Sequence, residues 1–266
     1  MREKGLSGST LKIIAVITMF IDHTAATILA RILYTANQMG KESAIKLTGT
    51  GAVGTMLAGL LESGRLYDVS YWMRNIGRIA FPIYCFLLVE GFIHTGNRRK
   101  YVLRLGIFAL LSEVTFDLAF SGCVLEFKHQ NVYFTLFLGM LTMLLYHKLE
   151  EQVQMSKGLR PVAELALLLA GMGAAELLRT DYGALGVLCI MVPYFFRNDR
   201  KTQTIAGALS FVWWEPPALL AFIPLAFYNG KRGINLKYIF YIFYPAHLLL
   251  LYLICCGMGI AGIPAL

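Results

Sequence analysis

Apolar runs separated by short polar stretches that carry lysine or arginine recur along the whole chain. Such a run satisfies its backbone hydrogen bonds as a helix in lipid, where loops and open strands leave N–H and C=O groups unpaired. The pattern predicts spans at 11–33, 71–94, 101–120, 131–147, 161–178, 183–196, 203–214, 217–229 and 238–256. The expected fold is an all-α, polytopic transmembrane helical bundle of about nine spans, read as one integral-membrane domain over residues 1–266. The runs between 183 and 229 are shorter than the roughly 20 residues of a perpendicular span, so tilted, half-inserted or re-entrant segments are expected there.

Composition agrees: the 266 residues are 57% hydrophobic and only 15% charged, which excludes an ordinary soluble domain. The net charge of +8 reads as a topology signal. With the N-terminus in the cytoplasm and the C-terminus outside, sixteen basic residues, among them Arg2, Lys4 and Lys237, fall inside. Six fall outside: Arg31, Lys41, Lys46, Arg65, Lys128 and Arg179. This follows the positive-inside bias, places the chain in the cytoplasmic membrane and makes a nucleic-acid partner unnecessary. The first apolar run is too long and too polar at its centre for a cleaved signal, so it is expected to stay as a helix.

The segment from Tyr34 to Ser70 contains "GTGAVG", Gly49 to Gly54, which matches the dinucleotide fingerprint letter for letter. The physical site needs a strand before it and a helix after it that opens onto a pyrophosphate. Close packing of small residues, or a dip into the outer interface, is the preferred reading; a full crossing here would break the charge parity. Five cysteines without C-x-x-C spacing predict free thiols.

Ionisable residues inside the spans carry the candidate chemistry. Asp22 and His23 fall at the middle of the first span, where such side chains are costly and point into a bundle or a wet cavity. Neighbours on a helix lie about 100° apart, so one of them can reach a substrate while the other orients a neighbouring helix. His247 stands at the centre of the last span, two residues after Pro245, which frees the carbonyl of Tyr241 and bends the helix. Two midplane histidines from opposite chain ends invite one shared site, and imidazole is the side chain suited to proton transfer near neutral pH.

The second span is polar at both ends, with Arg74 and Arg78 four apart at one and Glu90 and His94 four apart at the other. Glu113 and Asp117 in the third span are expected to pair with those arginines and hold helices together. The turn "TGNRRKYVLR", Thr95 to Arg104, is either a stop signal for topology or a seat for an anion with several phosphates. Neither H-E-x-x-H, nor G-x-S-x-G, nor a phosphate loop occurs. From the residues alone an enzyme, a proton-coupled transporter or flippase, and a structural part of a secretion or conjugation assembly all stay open.

The stretches "LKIIAVITMFIDHTAA", "RNIGRIAFPIYCFLLVEGFIHTGNRRKYVLRLGIFALLSE" and "KYIFYIFYPAHLLLLYL" together resemble the TraX family, in the same order over residues 11–256. The resemblance implies an integral-membrane acyltransferase of the kind associated with N-terminal acetylation of pilin, with acetyl-CoA as donor and no metal. It makes Asp22, His23, Arg78, Glu90 and His247 the functional set, and Arg98, Arg99, Lys100 and Arg104 the group that receives the nucleotide phosphates. The acceptor stays open between a protein N-terminus and a hydroxyl of a glycan or lipid.

Overall fold

The computed structural model describes residues 5–49, 51–152, 156–234, 237–263 and 265, with only the backbone of Lys237, Tyr238 and Phe240. Arg2, Lys4, the side chain of Lys237, and Thr50 of the glycine-rich run lie outside the described residues. Every regular element among the described residues is helical, with isolated bridges only at Leu6–Tyr228 and Gln130–Thr180.

The chain begins with α1 (Gly8–Thr24), a π-helical turn (Ala25–Leu29) and α2 (Ala30–Met39), which form one continuous rod. Short helices α3 (Lys41–Thr48) and α4 (Ala52–Glu62) follow, then α5 (Leu66–Gly77) and α6 (Ala80–His94). Next come α7 (Arg98–Ser121), α8 (Val132–Glu150), α9 (Leu159–Leu177), α10 (Gly183–Phe195) and α11 (Arg200–Leu209). A 3-10 turn (Pro216–Ala221), α12 (Phe222–Ala226) and α13 (Lys237–Gly257) complete it. Helix falls within every expected span, but 203–214 holds only α11 up to Leu209, and 217–229 holds only the 3-10 turn and the five residues of α12. Asn97 and Asn131 accept from the backbone N–H groups of Lys100 and Tyr133, and Asp199 from that of Thr202, so α7, α8 and α11 start there.

Among the described residues, three helical stretches are long and apolar enough to cross a membrane: Gly8–Met39, Leu66–His94 and Val132–Glu150. Shorter apolar helices are Ala52–Glu62, Gly183–Phe195, Pro216–Ala226 and Tyr241–Gly257. This set is compatible with a membrane protein.

The helices form two compact units, each drawn from three stretches of chain. One comprises Met1–Lys12, Phe81–Glu113 and Phe127–Ile234. Within it α8, α9 and α10 pack on one another where small residues let backbones approach: Gly139 lies against Ile190, Gly171 against Thr142 and Gly186 against Thr135. At the ends of α8 and α10, Glu150 accepts two bonds from Arg197 (2.8 and 2.9 Å) and one from the Tyr194 hydroxyl (2.9 Å). The Arg197 guanidinium lies 4.1 Å from the Tyr194 ring centre, so charge and aromatic face are satisfied together.

In the same unit the loop before α8 is clipped to the loop after α9: Gln130 N–H donates to Arg179 C=O (3.0 Å), and the His129 ring donates to Asp181 (3.3 Å). The bond to the Asp181 carboxylate outweighs burial and raises the His129 pKa above 6.5. A raised folded-state value means that this contact stabilises the fold fully below the unfolded value and fades as pH rises through the folded one. Both side chains are exposed, so the effect is small, below about 1 kcal/mol. Melting temperature measured between about pH 5.5 and pH 8.5 is expected to fall slightly in the wild type relative to His129→Gln, and parallel curves would refute the assignment.

The other unit comprises Ile13–Ala80, Val114–Glu126 and Asn235–Leu266. Its core joins Ile28, Leu29 and Ile32 to Leu57, Leu61 and Leu66 and to Leu251 and Ile260 of the last helix and its extension. The segment from Tyr34 to Ser70, which fell outside the expected spans, is largely helical. Gly40 and Gly49 take φ of 88° and 80°, which lets the chain reverse between α2, α3 and α4. No strand precedes the fingerprint-like run; α3 does, and a side chain at Gly54 would run into the carbonyls of Thr48 and Gly49. Close packing, rather than nucleotide binding, accounts for that glycine.

Candidate functional site

His23 closes the last regular turn before the rod changes pitch. Ala30 N–H bonds back to Ala25 C=O, a five-residue step in place of four, and all five residues Ala25–Leu29 are buried. Threonines prepare this change. The Thr24 hydroxyl donates to Phe20 C=O (2.8 Å) and the Thr27 hydroxyl to His23 C=O (2.6 Å), supplying partners to carbonyls as the backbone ladder shifts. Pi-turns are frequent at functional sites, where the extra residue re-aims side chains on either side of it.

His247 meets His23 from α13, with His23 Nδ1 and His247 Nε2 2.6 Å apart. The rings are nearly coplanar, 6° apart with centres 4.9 Å distant, the geometry of an edge-to-edge hydrogen bond rather than a face stack. His247 Nδ1 lies 2.7 Å from the Phe243 carbonyl, which only accepts, so that nitrogen carries a proton. In the neutral ring Nε2 is then an acceptor, and His23 Nδ1 must be the donor. His23 is left with a bare Nε2, which has no partner among the described residues. The Phe243 ring covers one face of His247 (4.6 Å), and the edges of Phe120 and Tyr244 close on His23 (5.5 and 5.9 Å). His247 is 3% exposed whereas His23 is half-buried, so the proton-accepting nitrogen belongs to the less buried residue.

Asp22, the other member of the pair, turns to α5. Its carboxylate accepts from Arg74 Nη1 at 2.8 Å, so its described charge partner is an arginine and the described partner of the His23 ring is His247. The two helices touch here because residue 77 is glycine: a Cβ at Gly77 would overlap the Asp22 side chain. One residue further on, α5 stops. Pro82 lacks an N–H and cannot bond the carbonyl of Arg78, so the span breaks at Arg78–Ile79 and restarts as α6. Arg78 thus stands at a helix break, and the fields of both Arg74 and Arg78 reach His23.

The family profile described as TraX protein matches residues 7–255, from before α1 to the end of α13, and takes in all of these residues. This chain belongs to the TraX family. It is also 28% identical to the probable fimbrial assembly protein FimC, serogroup H1, of Dichelobacter nodosus, over 94% of this chain and 96% of that protein. No solved structure matches.

In this TraX-family chain the remaining expected site residues lie in the other compact unit. Glu90 is 3.1 Å from Arg200, whose guanidinium lies 4.9 Å from the Phe86 ring centre and 5.0 Å from that of Tyr228, with the Arg200 side chain still partly exposed. Arg98, Arg99 and Lys100 form the first turn of α7, with no acidic residue in it. Arg99 and Lys100 are exposed, Arg98 lies 5.2 Å from the Phe92 ring centre, and Arg104 lies 5.8 Å from that of Tyr101. Glu113 accepts from the backbone and side-chain amides of Asn131, and Asp117 accepts from Glu126 N–H (2.8 Å). The acid that meets Arg74 is therefore Asp22, not either of the two expected from helical spacing.

Sequence reading also passed over Arg31, counted only as an outer cation. It is fully buried, donating to Ile263 C=O (2.8 Å) and Thr27 C=O (3.1 Å), with Cys255 Sγ at 3.9 Å. The pairs His23–His247 and Arg31–Cys255 share the same offset of 224 residues, so the first rod and α13 run parallel in register. All five cysteines are free thiols, as expected from their spacing.

Proposed function

We propose that this chain is an integral-membrane acetyltransferase that moves an acetyl group from acetyl-CoA to an amine or hydroxyl acceptor, with His23 as general base. The observation that carries the reading is the chain of hydrogen bonds from the Phe243 carbonyl through His247 to His23, which leaves Nε2 of His23 unprotonated. His23 takes the proton of the attacking amine or hydroxyl; the new C–N or C–O bond forms as the thioester C–S bond breaks, and the imidazolium returns the proton to the leaving sulfur. Arg78, at the helix break, steadies the negative charge that develops on the carbonyl oxygen. His247 is a positioning residue and Asp22 holds Arg74. Glu90, paired with Arg200, is assigned to the fold.

The basic turn suits the nucleotide phosphates of the donor. Cations crowded at a helix N-terminus oppose the macrodipole, and an anion there satisfies both. In the proposed topology nine spans cross the cytoplasmic membrane with the N-terminus inside and the basic turn on the cytoplasmic side. Parallel first and last helices need an odd number of crossings between them, which the seven expected there provide. The α3–α4 segment then makes no net crossing.

The Dichelobacter relative, named a fimbrial assembly protein, favours a pilus-type subunit with a free N-terminus as acceptor. It also lends weight to a second reading, a structural part of such an assembly, in which the buried polar groups serve stability alone. Purified protein incubated with acetyl-CoA separates the two. Release of free thiol together with a one-acetyl mass gain on a candidate acceptor is expected, and its absence with every peptide and hydroxyl acceptor offered favours the structural role. Arg98→Ala with Arg99→Ala is expected to weaken acetyl-CoA binding more at low salt than at high salt, because exposed charges are screened. Equal affinity across an ionic-strength series would leave these residues as topology signals.

A further inference from the structure

From the sequence, Arg74 is expected only as one half of a helix-holding pair. In the structure one nitrogen of its guanidinium, Nη1, is 2.8 Å from Asp22, and its remaining N–H groups have no partner among the described residues. The Arg74 side chain is 32% exposed while Asp22 is 13% exposed, so the anchored end is enclosed and the open end is accessible. Gly77 brings the backbone of α5 directly against Asp22, which fixes the root of this assembly. Asp22, which anchors the guanidinium, is the chain neighbour of His23, so Arg74 is tied to the helix turn that carries the base.

A guanidinium held at one corner keeps a planar fork of donors that matches a carboxylate at two points, a geometry that a lone ammonium lacks. A cation beside the base also disfavours a second cation there, so an incoming amine is held in its neutral, nucleophilic form. We propose that Arg74 is an acceptor-recognition residue that binds a carboxylate placed close to the nucleophile, so that the preferred acceptor is an acidic peptide N-terminus. This rests on His23 being the base and on a peptide being the acceptor.

The test uses the full-length protein in neutral detergent, which removes lipid phosphates as competitors, and two short fluorescent peptides that differ only in whether the second residue is glutamate or glutamine. The wild type is expected to bind the glutamate peptide about tenfold more tightly, in line with a charge-assisted bond. Arg74→Gln should abolish that preference and Arg74→Lys should keep part of it. Asp22→Asn combined with Arg74→Gln removes both charges at once and should also bind the two peptides alike, which guards against an unpaired carboxylate unfolding the single variant. Equal binding of both peptides by the wild type, or a preference that survives in Arg74→Gln, would overturn the proposal. Mass spectrometry of the same mixtures after adding acetyl-CoA reads transfer separately, so a binding preference without acetylation would refute the catalytic reading and leave the recognition site standing.

Discussion

His23→Ala should lower acetyl transfer by about 10²- to 10⁴-fold, the usual worth of a positioned general base, while the protein stays folded and still binds acetyl-CoA. His247→Ala should cost less, because the base remains and only the acceptor for its Nδ1–H is lost. His247→Gln should recover part of that loss, since a side-chain carbonyl can take the same proton. This ordering separates chemistry from packing. A packing role predicts that all three variants lose helical content and transfer together, as read by circular dichroism alongside the thiol assay. A folded His23→Ala protein with undiminished transfer would remove His23 as the base and turn attention to His247.

The second large effect is expected at Gly77, which carries no functional group. Gly77→Ala puts a methyl where the Asp22 side chain lies, so α5 must move off α1 or the carboxylate must swing away from Arg74. Overpacking of this kind costs about 1–3 kcal/mol, to be read as a drop in melting temperature in detergent. If the clash with Asp22 is the cause, Asp22→Gly should relieve most of it, giving a clear coupling in a double-mutant cycle. Additive losses would place the damage elsewhere.

How far these residues could be found without a structure differs from one to the next. The apolar helices were legible because lipid demands continuous apolar helix, a requirement written locally in composition. Asp22, His23 and His247 were legible for the same reason, since an ionisable side chain at the centre of an apolar run stands out against its neighbours. Glu90 and Arg74 stood out equally, yet their partners, Arg200 and Asp22, lie far away in sequence, and no periodicity links them. Glu113 and Asp117 stood as mates for the arginines because both pairs fall at the outer ends of successive spans, and span order along the chain does not say which helices touch. The π-turn was hidden, its only trace being threonines at 24 and 27 beside Ala25 and Ala26.

By itself the sequence determined that this chain is helical, built of apolar spans with a basic turn, and that two histidines and an aspartate stand where charge is expensive. The tertiary structure alone decided which of them meet. It joined His23 to His247 and gave Asp22 to Arg74. It also set the first and last helices parallel, and exposed Gly77 as the contact that lets α5 approach Asp22. The reason is physical: burial in lipid is a property of each segment taken singly, whereas a hydrogen bond 2.6 Å long between residues 224 apart depends on the packing of helices that no local pattern encodes.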